Sequence, residues 1–410
     1  MAEKLRLDRS LELYEEAKRL SPGGMMGIRR PYNFVPGEYP VFIKKGFGGN
    51  IVDEDGNVYM DMLCSYGPII LGYVEDEIND AVIAQMKDGF CFSLVQEWQN
   101  VLLRRLRDLI PCCEMGIIVK TGSDATTCAV RIARGYTKRD KVIRCGYHGW
   151  HDWCVEVHGG VPKKAYEDTF EFHYNDLDGL KSIFEANKDE IACVIVTGVG
   201  HPLGEPVVEP APGFLEGVRD LAHANGSVFI MDEIRTGFRF GLGGAQGRYG
   251  VTPDLGVFGK ALANGYPIAA VLGRSDIMRV AEKEVFISST YFPNSLEMVA
   301  ALKCLEIMER EKVPEVIWEK GRRFNEGLRK IAAEVPYAVT VSDVPPMPFV
   351  TFDRDPEGLY KERRKKFYTG AIRRGLFIQP YHHWYICYRH SDEDLERALG
   401  IVRDAFKDTY

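Results

Sequence analysis

Between about residue 75 and about residue 300, short runs that are apolar almost throughout alternate with longer segments of helical period. "MGIIVKTG", "DKVIRC", "IACVIVTG", "SVFIMDE", "DLGVFG" and "IAAVLG" read as strands. "EDEINDAVIAQMKDGF", "VQEWQNVLLRRLRDLI", "SDATTCAVRIARGYTKR", "DLDGLKSIFEAN" and "GFLEGVRDLAHANG" read as helices. A strand with one wet face alternates apolar and polar residues, and these do not. Both faces must be covered, which predicts a parallel sheet with helices on either side, an α/β architecture.

The two ends of the chain differ from this pattern. Leu11, Leu13, Tyr14, Ala17 and Leu20 fall near helical spacing, and "SPGG" stops that helix. "YPVFIKKGFGGNIVDEDGNVYMDML" reads as two strands joined at "DEDGN". The last hundred residues open with the helix "SLEMVAALKCLEIMERE", continue through the strands "LFIQP" and "WYICYRH", and close on the helix "SDEDLERALGIVRDAF". The expected organisation is a large domain over residues 71–300. A smaller α+β domain is expected from residues 1–70 and 301–410 together.

Composition narrows the function classes. A net charge of −7 over 410 residues argues against a nucleic-acid surface. The N-terminus lacks the apolar run of a signal peptide, and no stretch approaches the roughly 18 apolar residues that cross a bilayer. A soluble, cytoplasmic protein with no membrane partner is expected. The ten cysteines are scattered, with no C-x-x-C pair, as for reduced buried thiols rather than a structural metal site.

In open α/β sheets, ligands bind outside the C-terminal ends of the strands, and four candidate groups fall there. In "DLGVFGKALANG", Lys260 sits among apolar and small residues, where an ammonium is rarely buried without a partner. "SVFIMDEIRTGF" ends a strand in Asp232 and Glu233, carboxylates able to hold a cationic ring nitrogen or to form a salt bridge or cap. "RCGYHGWHDW" offers Tyr147 as a stacking ring, and its histidines, His148 and His151, lack an obvious acidic third ligand for a metal. "IIVKTGSDAT" is a strand, a glycine turn and a helix. Gly122 and Ser123 form either a phosphate cradle or an ordinary turn capped by Ser123 or Asp124. A phosphate site, a carboxylate, a flat aromatic and a desolvated lysine together suit pyridoxal phosphate (PLP). Burial keeps the amine neutral for Schiff-base formation, and an acidic partner keeps the pyridine nitrogen protonated. "GLGGAQG" at 241–247 follows "RTGFRF" rather than a buried strand, so a dinucleotide loop is not expected there.

At these residues the chain resembles the class III, fold type I PLP-dependent aminotransferases, and most of all the glutamate-1-semialdehyde aminomutases among them. The resemblance rests on "GSDATTCAVRIARGYTKRDKVIR", "YHGWHDW", "MDEIRTGFRFGLGGAQGRYGVTPDLGVFGKALANGYPIAAVLG" and "STYFPNSLEMVAA". It implies a large domain with a mostly parallel seven-stranded sheet, a smaller α+β domain from both termini, and a homodimer with the active site at the interface. It also implies roles. Lys260 would carry the Schiff base and then shuttle the proton, and Asp232 would pair with the pyridinium. Ile234 and Tyr147 would cover the two ring faces. Gly122 and Ser123 would bind the phosphate, with Thr290 reaching it across the dimer. Arg30, with Arg29 beside it, aligns with an arginine that holds a substrate carboxylate, and Tyr66 with an aromatic near the substrate.

Two departures bear on the reaction. After "LFIQP" the chain reads "YHHWYICYRH", where the aminomutases carry a slightly longer segment with an acidic residue. His382 and His383 occupy that region, either as pocket residues or as the packed start of a strand. Thr197 stands near the glutamate that most class III enzymes carry before the aspartate strand. These differences favour an intermolecular aminotransferase, moving an amino group from an amine or amino acid to a keto acid or aldehyde. The alternatives are an intramolecular aminomutase, another PLP reaction such as racemisation, epimerisation or decarboxylation, and a non-enzymatic binding protein. Retention of both Lys260 and Asp232 argues against the last.

Overall fold

The computed structural model describes residues 2–25 and 31–410. Two compact units emerge. One comprises Met1–Glu75, His201–Val208 and Glu315–Tyr410, and the other Asp76–Gly200 and Glu209–Pro314.

The second unit is built on a seven-stranded sheet. Its strands are β1 (Met115–Val119), β2 (Lys141–Cys145), β3 (Thr169–Glu171), β4 (Ile191–Thr197), β5 (Val228–Asp232), β6 (Leu255–Phe258) and β7 (Ala269–Gly273). Their order across the sheet is β1-β7-β6-β5-β4-β2-β3. Neighbours from β6 through β3 pair in parallel, whereas β7 runs antiparallel to both β6 and β1. Strand β1 therefore points the same way as the parallel set, and six C-terminal ends share one edge.

Burial explains the apolar runs. Val228 and Ile230 pack with Ala125, Ala129 and Ile132 of the helix Gly122–Thr137. Phe229 and Met231, one residue out of phase, pack with Phe214, Leu215 and Val218 of the helix Phe214–Ala224. Both faces of the sheet are thus dry. Each fully buried side chain of this size contributes on the order of 1.5–3 kcal/mol.

In the first unit, three antiparallel strands (Ile43–Phe47, Asn50–Asp53 and Val58–Asp61) take the place of the two expected. The added strand, "IKKGF", is largely exposed and so lacks the apolar signal of a half-buried strand. Leu376–Phe377 joins the sheet in parallel beside Val58–Asp61. The expected strand "WYICYRH" does not form. Its N–H groups are shared among separate segments: Trp384 donates to the Pro348 carbonyl, Tyr385 to Met62, Ile386 to Pro346 and Tyr388 to Ile70. Trp384 to Cys387 are buried, but no single neighbour gives the segment a ladder. Among the described residues no helix is long and apolar enough to cross a membrane.

Candidate active site

Four of the strands that end on the common edge deliver the chemistry. β5 ends in Asp232, the β6 turn carries Lys260, the β2 turn carries Tyr147 and His148, and the β1 turn opens the helix at Gly122. Register fixes the centre of the group, because Asp232 lies opposite Thr197 of β4 and Val257 of β6.

Asp232 is 5% exposed and both its oxygens are engaged. Oδ1 accepts the Ile234 N–H at 3.0 Å, and Oδ2 accepts His148 Nδ1–H at 2.7 Å. Thr126 Oγ1 donates to the His148 carbonyl at 2.6 Å, which anchors that residue to the helix Gly122–Thr137. His148 Nε2 is buried and has no hydrogen-bond partner among the described residues. His151 is engaged elsewhere, with Nδ1 2.8 Å from Thr127 Oγ1. The pairing of His148 with Asp232 was missed from sequence, since only the fold brings β2 and β5 turns together.

Lys260 is half-buried and has φ +44°, a left-handed conformation uncommon for a residue with a side chain. Such strain persists where the surroundings enforce it, often at functional sites. No ion pair to its amine is present among the described residues. Burial, and then the Arg235 guanidinium, push the Lys260 amine well below the ordinary lysine range; Asp232 pulls the other way and Arg239 adds to the lowering. Lys120, on the same edge, is instead ion-paired with Glu297 at 3.0 Å.

The helix after β1 begins one residue earlier than expected. Thr121, not Ser123 or Asp124, is its cap: Thr121 Oγ1 accepts the Asp124 N–H at 3.1 Å and Asp124 Oδ2 accepts the Thr121 N–H at 2.8 Å. This reciprocal cap leaves the N–H groups of Gly122 and Ser123 without intrahelical acceptors, a ready anion site. A Cβ on Gly122 would stand 3.3 Å from Ile234, and one on Gly259 would stand 3.1 Å from it. Ile234 therefore bridges the helix start and the lysine turn. Gly149, at φ +120°, lies so close to Ser123 that a Cβ would come within 2.4 Å of its Oγ, which accepts the Trp150 N–H at 3.3 Å. Tyr147 is 36% exposed, with the Arg235 guanidinium 6.0 Å from its ring centre.

Glu233, next to Asp232, points elsewhere. It is fully buried and accepts the N–H groups of Ala245 and Gln246 and the hydroxyl of Thr236. Gly244, at φ +71°, leaves no room for a Cβ beside that carboxylate. The glycines of "GLGGAQG" thus shape a loop held by Glu233. Thr197 donates its hydroxyl to the Val199 carbonyl at 2.8 Å. Thr290 is exposed.

Within the first unit, the other predicted residues form a cluster of their own. The ring of Tyr66, at φ +66°, meets the His382 ring edge-on at 5.1 Å. His382 Nδ1 donates to the His383 carbonyl, and His383 Nε2 lies 2.9 Å from the Tyr385 hydroxyl. His201 joins them, its ring 5.9 Å from that of His383. Arg29 and Arg30 lie outside the described residues. Cys64, Cys387 and His390 also gather here, buried. Both ring nitrogens of His390 are taken, by the Cys387 N–H and the Asp61 carbonyl.

The geometry of the second unit fits PLP: an anion site at a capped helix start, glycine positions that bring Ile234 close, a buried carboxylate and a desolvated lysine. Comparison with known proteins agrees. The chain matches the aminotransferase class-III family over residues 34–406. It is 59% identical to the 3-aminobutyryl-CoA aminotransferase of Cloacimonas acidaminovorans (strain Evry), across 99% of this chain and 98% of that protein. It is 33% identical to glutamate-1-semialdehyde 2,1-aminomutase 2 of Brevibacillus brevis (strain 47), across 98% and 99% of the two chains. The structure of the Sphingopyxis sp. MTA144 FumI protein in its PLP internal aldimine form superposes with a TM-score of 0.93 at 28% identity, covering 97% of this chain and 96% of that one. The chain is therefore a PLP-dependent enzyme and belongs to the class III aminotransferases.

Proposed function

We propose that this aminotransferase takes the amino group from the 3-position of a short acyl thioester, of the 3-aminobutyryl-CoA type, and passes it to a 2-oxo acid. The observation that carries this reading is the 59% identity, over essentially both full lengths, to a protein named for that substrate. The missing acidic residue and the His382–His383 pair in the "YHHWY" segment support an acceptor and donor unlike those of the aminomutases.

When bound, PLP supplies an aldehyde that accepts the amino group and a ring that delocalises negative charge from the adjacent carbon. Gly122 and Ser123 would hold its phosphate. Ile234 and Tyr147 would flank the ring, and Asp232, oriented by His148, would keep a proton on the ring nitrogen. Lys260 would hold the aldehyde of the bound cofactor. The Lys260 amine, which burial holds below the ordinary lysine range, would take the proton from the substrate carbon that bears nitrogen. The family resemblance assigns substrate roles to Tyr66, His382, His383 and Arg30.

We further infer a homodimer working in the cytoplasm. Phe92, Leu94 and Val95 form one exposed apolar run in the second unit, and Phe286 and Tyr291 flank Thr290 in another. A second copy covering these would let Thr290 reach the phosphate of the opposite site. None of the ten cysteines is in a disulfide among the described residues, which suits a reducing compartment.

The test is a donor panel with 2-oxoglutarate as acceptor: 3-aminobutyryl-CoA, free 3-aminobutyrate and glutamate 1-semialdehyde. The reading expects a kcat/KM for the thioester at least about 100-fold above that for the free acid, with glutamate and a 3-oxoacyl thioester as products. Equal rates for the free acid, or isomerisation of the semialdehyde without any acceptor, would refute it.

A further inference from the structure

The helix Tyr360–Arg373 of the first unit, "YKERRKKFYTGAIR", carries six basic residues and one acidic one, in a chain whose net charge is −7. Two of the six are neutralised: Arg363 lies 3.5 Å from Asp355, and Arg373 is paired with Glu38 at 2.7 Å. Lys361, Arg364, Lys365 and Lys366 meet no carboxylate among the described residues. Lys361, Arg364 and Lys365 fall at i, i+3 and i+4 and so share one helix face, where like charges repel. Both of these lysines are exposed.

Arg364 is held in place. Its Nη2 donates to the Tyr381 hydroxyl at 2.9 Å, and its guanidinium stands 4.3 Å from the centre of that ring. The Tyr381 backbone is fixed in turn. Its N–H donates to Gln379 Oε1 at 2.8 Å, and its carbonyl accepts the Gly204 N–H at 2.9 Å. His382 follows in the chain, and its ring meets that of Tyr66. One fixed tyrosine thus joins the basic face to the cluster of Tyr66, His382 and His383.

We propose that Lys361, Arg364 and Lys365 form a binding site for the phosphates at the nucleotide end of a coenzyme A thioester. The proposal rests on the thioester reading above and adds where the far end of that substrate is held. In a 3-aminoacyl thioester the carboxyl carbon is bonded to sulfur, so the reacting end carries no carboxylate. Every permanent negative charge then lies on the phosphates. A net-negative chain repels such a ligand, and a local cluster of cations without acidic partners offsets that repulsion. The planar fork of Arg364 suits phosphate oxygens, and the two lysines add point charges beside it.

The full-length, PLP-loaded enzyme is assayed with 2-oxoglutarate as acceptor and two donors. These are 3-aminobutyryl-CoA and 3-aminobutyryl-pantetheine, the same thioester without the nucleotide. The set is wild type, Lys361→Gln/Lys365→Gln, Lys361→Glu/Lys365→Glu, Arg364→Gln and Arg364→Lys. In wild type, KM for the CoA thioester should lie about 10-fold or more below that for the pantetheine thioester, a gap that narrows as salt rises. The neutral variants should raise KM for the CoA thioester by about 3- to 10-fold. The charge-reversed pair should raise it further, and Arg364→Lys should recover part of the Arg364→Gln loss. KM for the pantetheine thioester should stay at its wild-type value, which damage to the fold would not allow. Equal KM values for the two thioesters in wild type, variants that keep the wild-type KM, or a rise shared by both donors would each overturn the site while leaving the thioester reading standing. A wild type that turns over free 3-aminobutyrate as well as either thioester would overturn that reading and the site with it.

Discussion

His148 Nδ1 donates to Asp232 Oδ2 at 2.7 Å, and both side chains are buried. The bond fixes the imidazole in the tautomer with its proton on Nδ1 and leaves the carboxylate aimed by two donors. Hydrogen bonds to a charged group are worth about 1.5–3 kcal/mol. His148→Ala should therefore lower kcat about 10- to 100-fold and weaken PLP binding. His148→Asn, whose amide N–H falls near the place of Nδ1–H, should recover part of the loss. Steady-state kinetics and PLP titration of the two variants check this.

Asp232→Ala removes the carboxylate proposed to pair with the ring nitrogen. Turnover should fall by about 10²–10³-fold or more, while PLP binds weakly but measurably. A deuterated donor would show a larger primary isotope effect than in wild type, because proton removal becomes the slow step.

Gly149→Ala sets a Cβ 2.4 Å from Ser123 Oγ at a backbone φ of +120°. Strain of this kind costs about 1–3 kcal/mol. Thermal unfolding should report the loss, and PLP affinity should drop because Ser123 is displaced. Gly247→Ala is the control, since a Cβ there meets nothing within 4 Å.

The lowered Lys260 pKa has a signed consequence for stability. In the cofactor-free protein the unfolded chain holds a proton on this lysine that the folded chain does not, from the lowered native value up to the ordinary 10.5. Across that window stability rises with pH. Lys260→Met should thus be more stable than wild type near neutrality, with the gap closing as pH approaches 10. Urea unfolding of both proteins at several pH values measures the gap.

Much of this site was legible in the sequence because it is local. Each strand-turn-helix junction announces itself: apolar run, glycine, polar cap. The ends at Gly122, Tyr147, Asp232 and Lys260 could be named before any fold was known. What escaped was whatever depends on pairing across distance. His148 is 84 positions from Asp232, and nothing in "YHGWHDW" says that its first histidine faces a carboxylate rather than a metal. The segment "WYICYRH" has strand composition, but its N–H groups find carbonyls on unrelated loops, so propensity was overridden by tertiary pairing. The insertion of His201–Val208 into the first unit left no compositional mark.

The central claim is that Lys260, rather than Lys120 on the same sheet edge, secures the cofactor. Borohydride reduction of the PLP-loaded enzyme, followed by digestion and mass spectrometry, reads this directly. The account predicts one phosphopyridoxyl group per chain, on Lys260. A label on Lys120 or on any other lysine would contradict it.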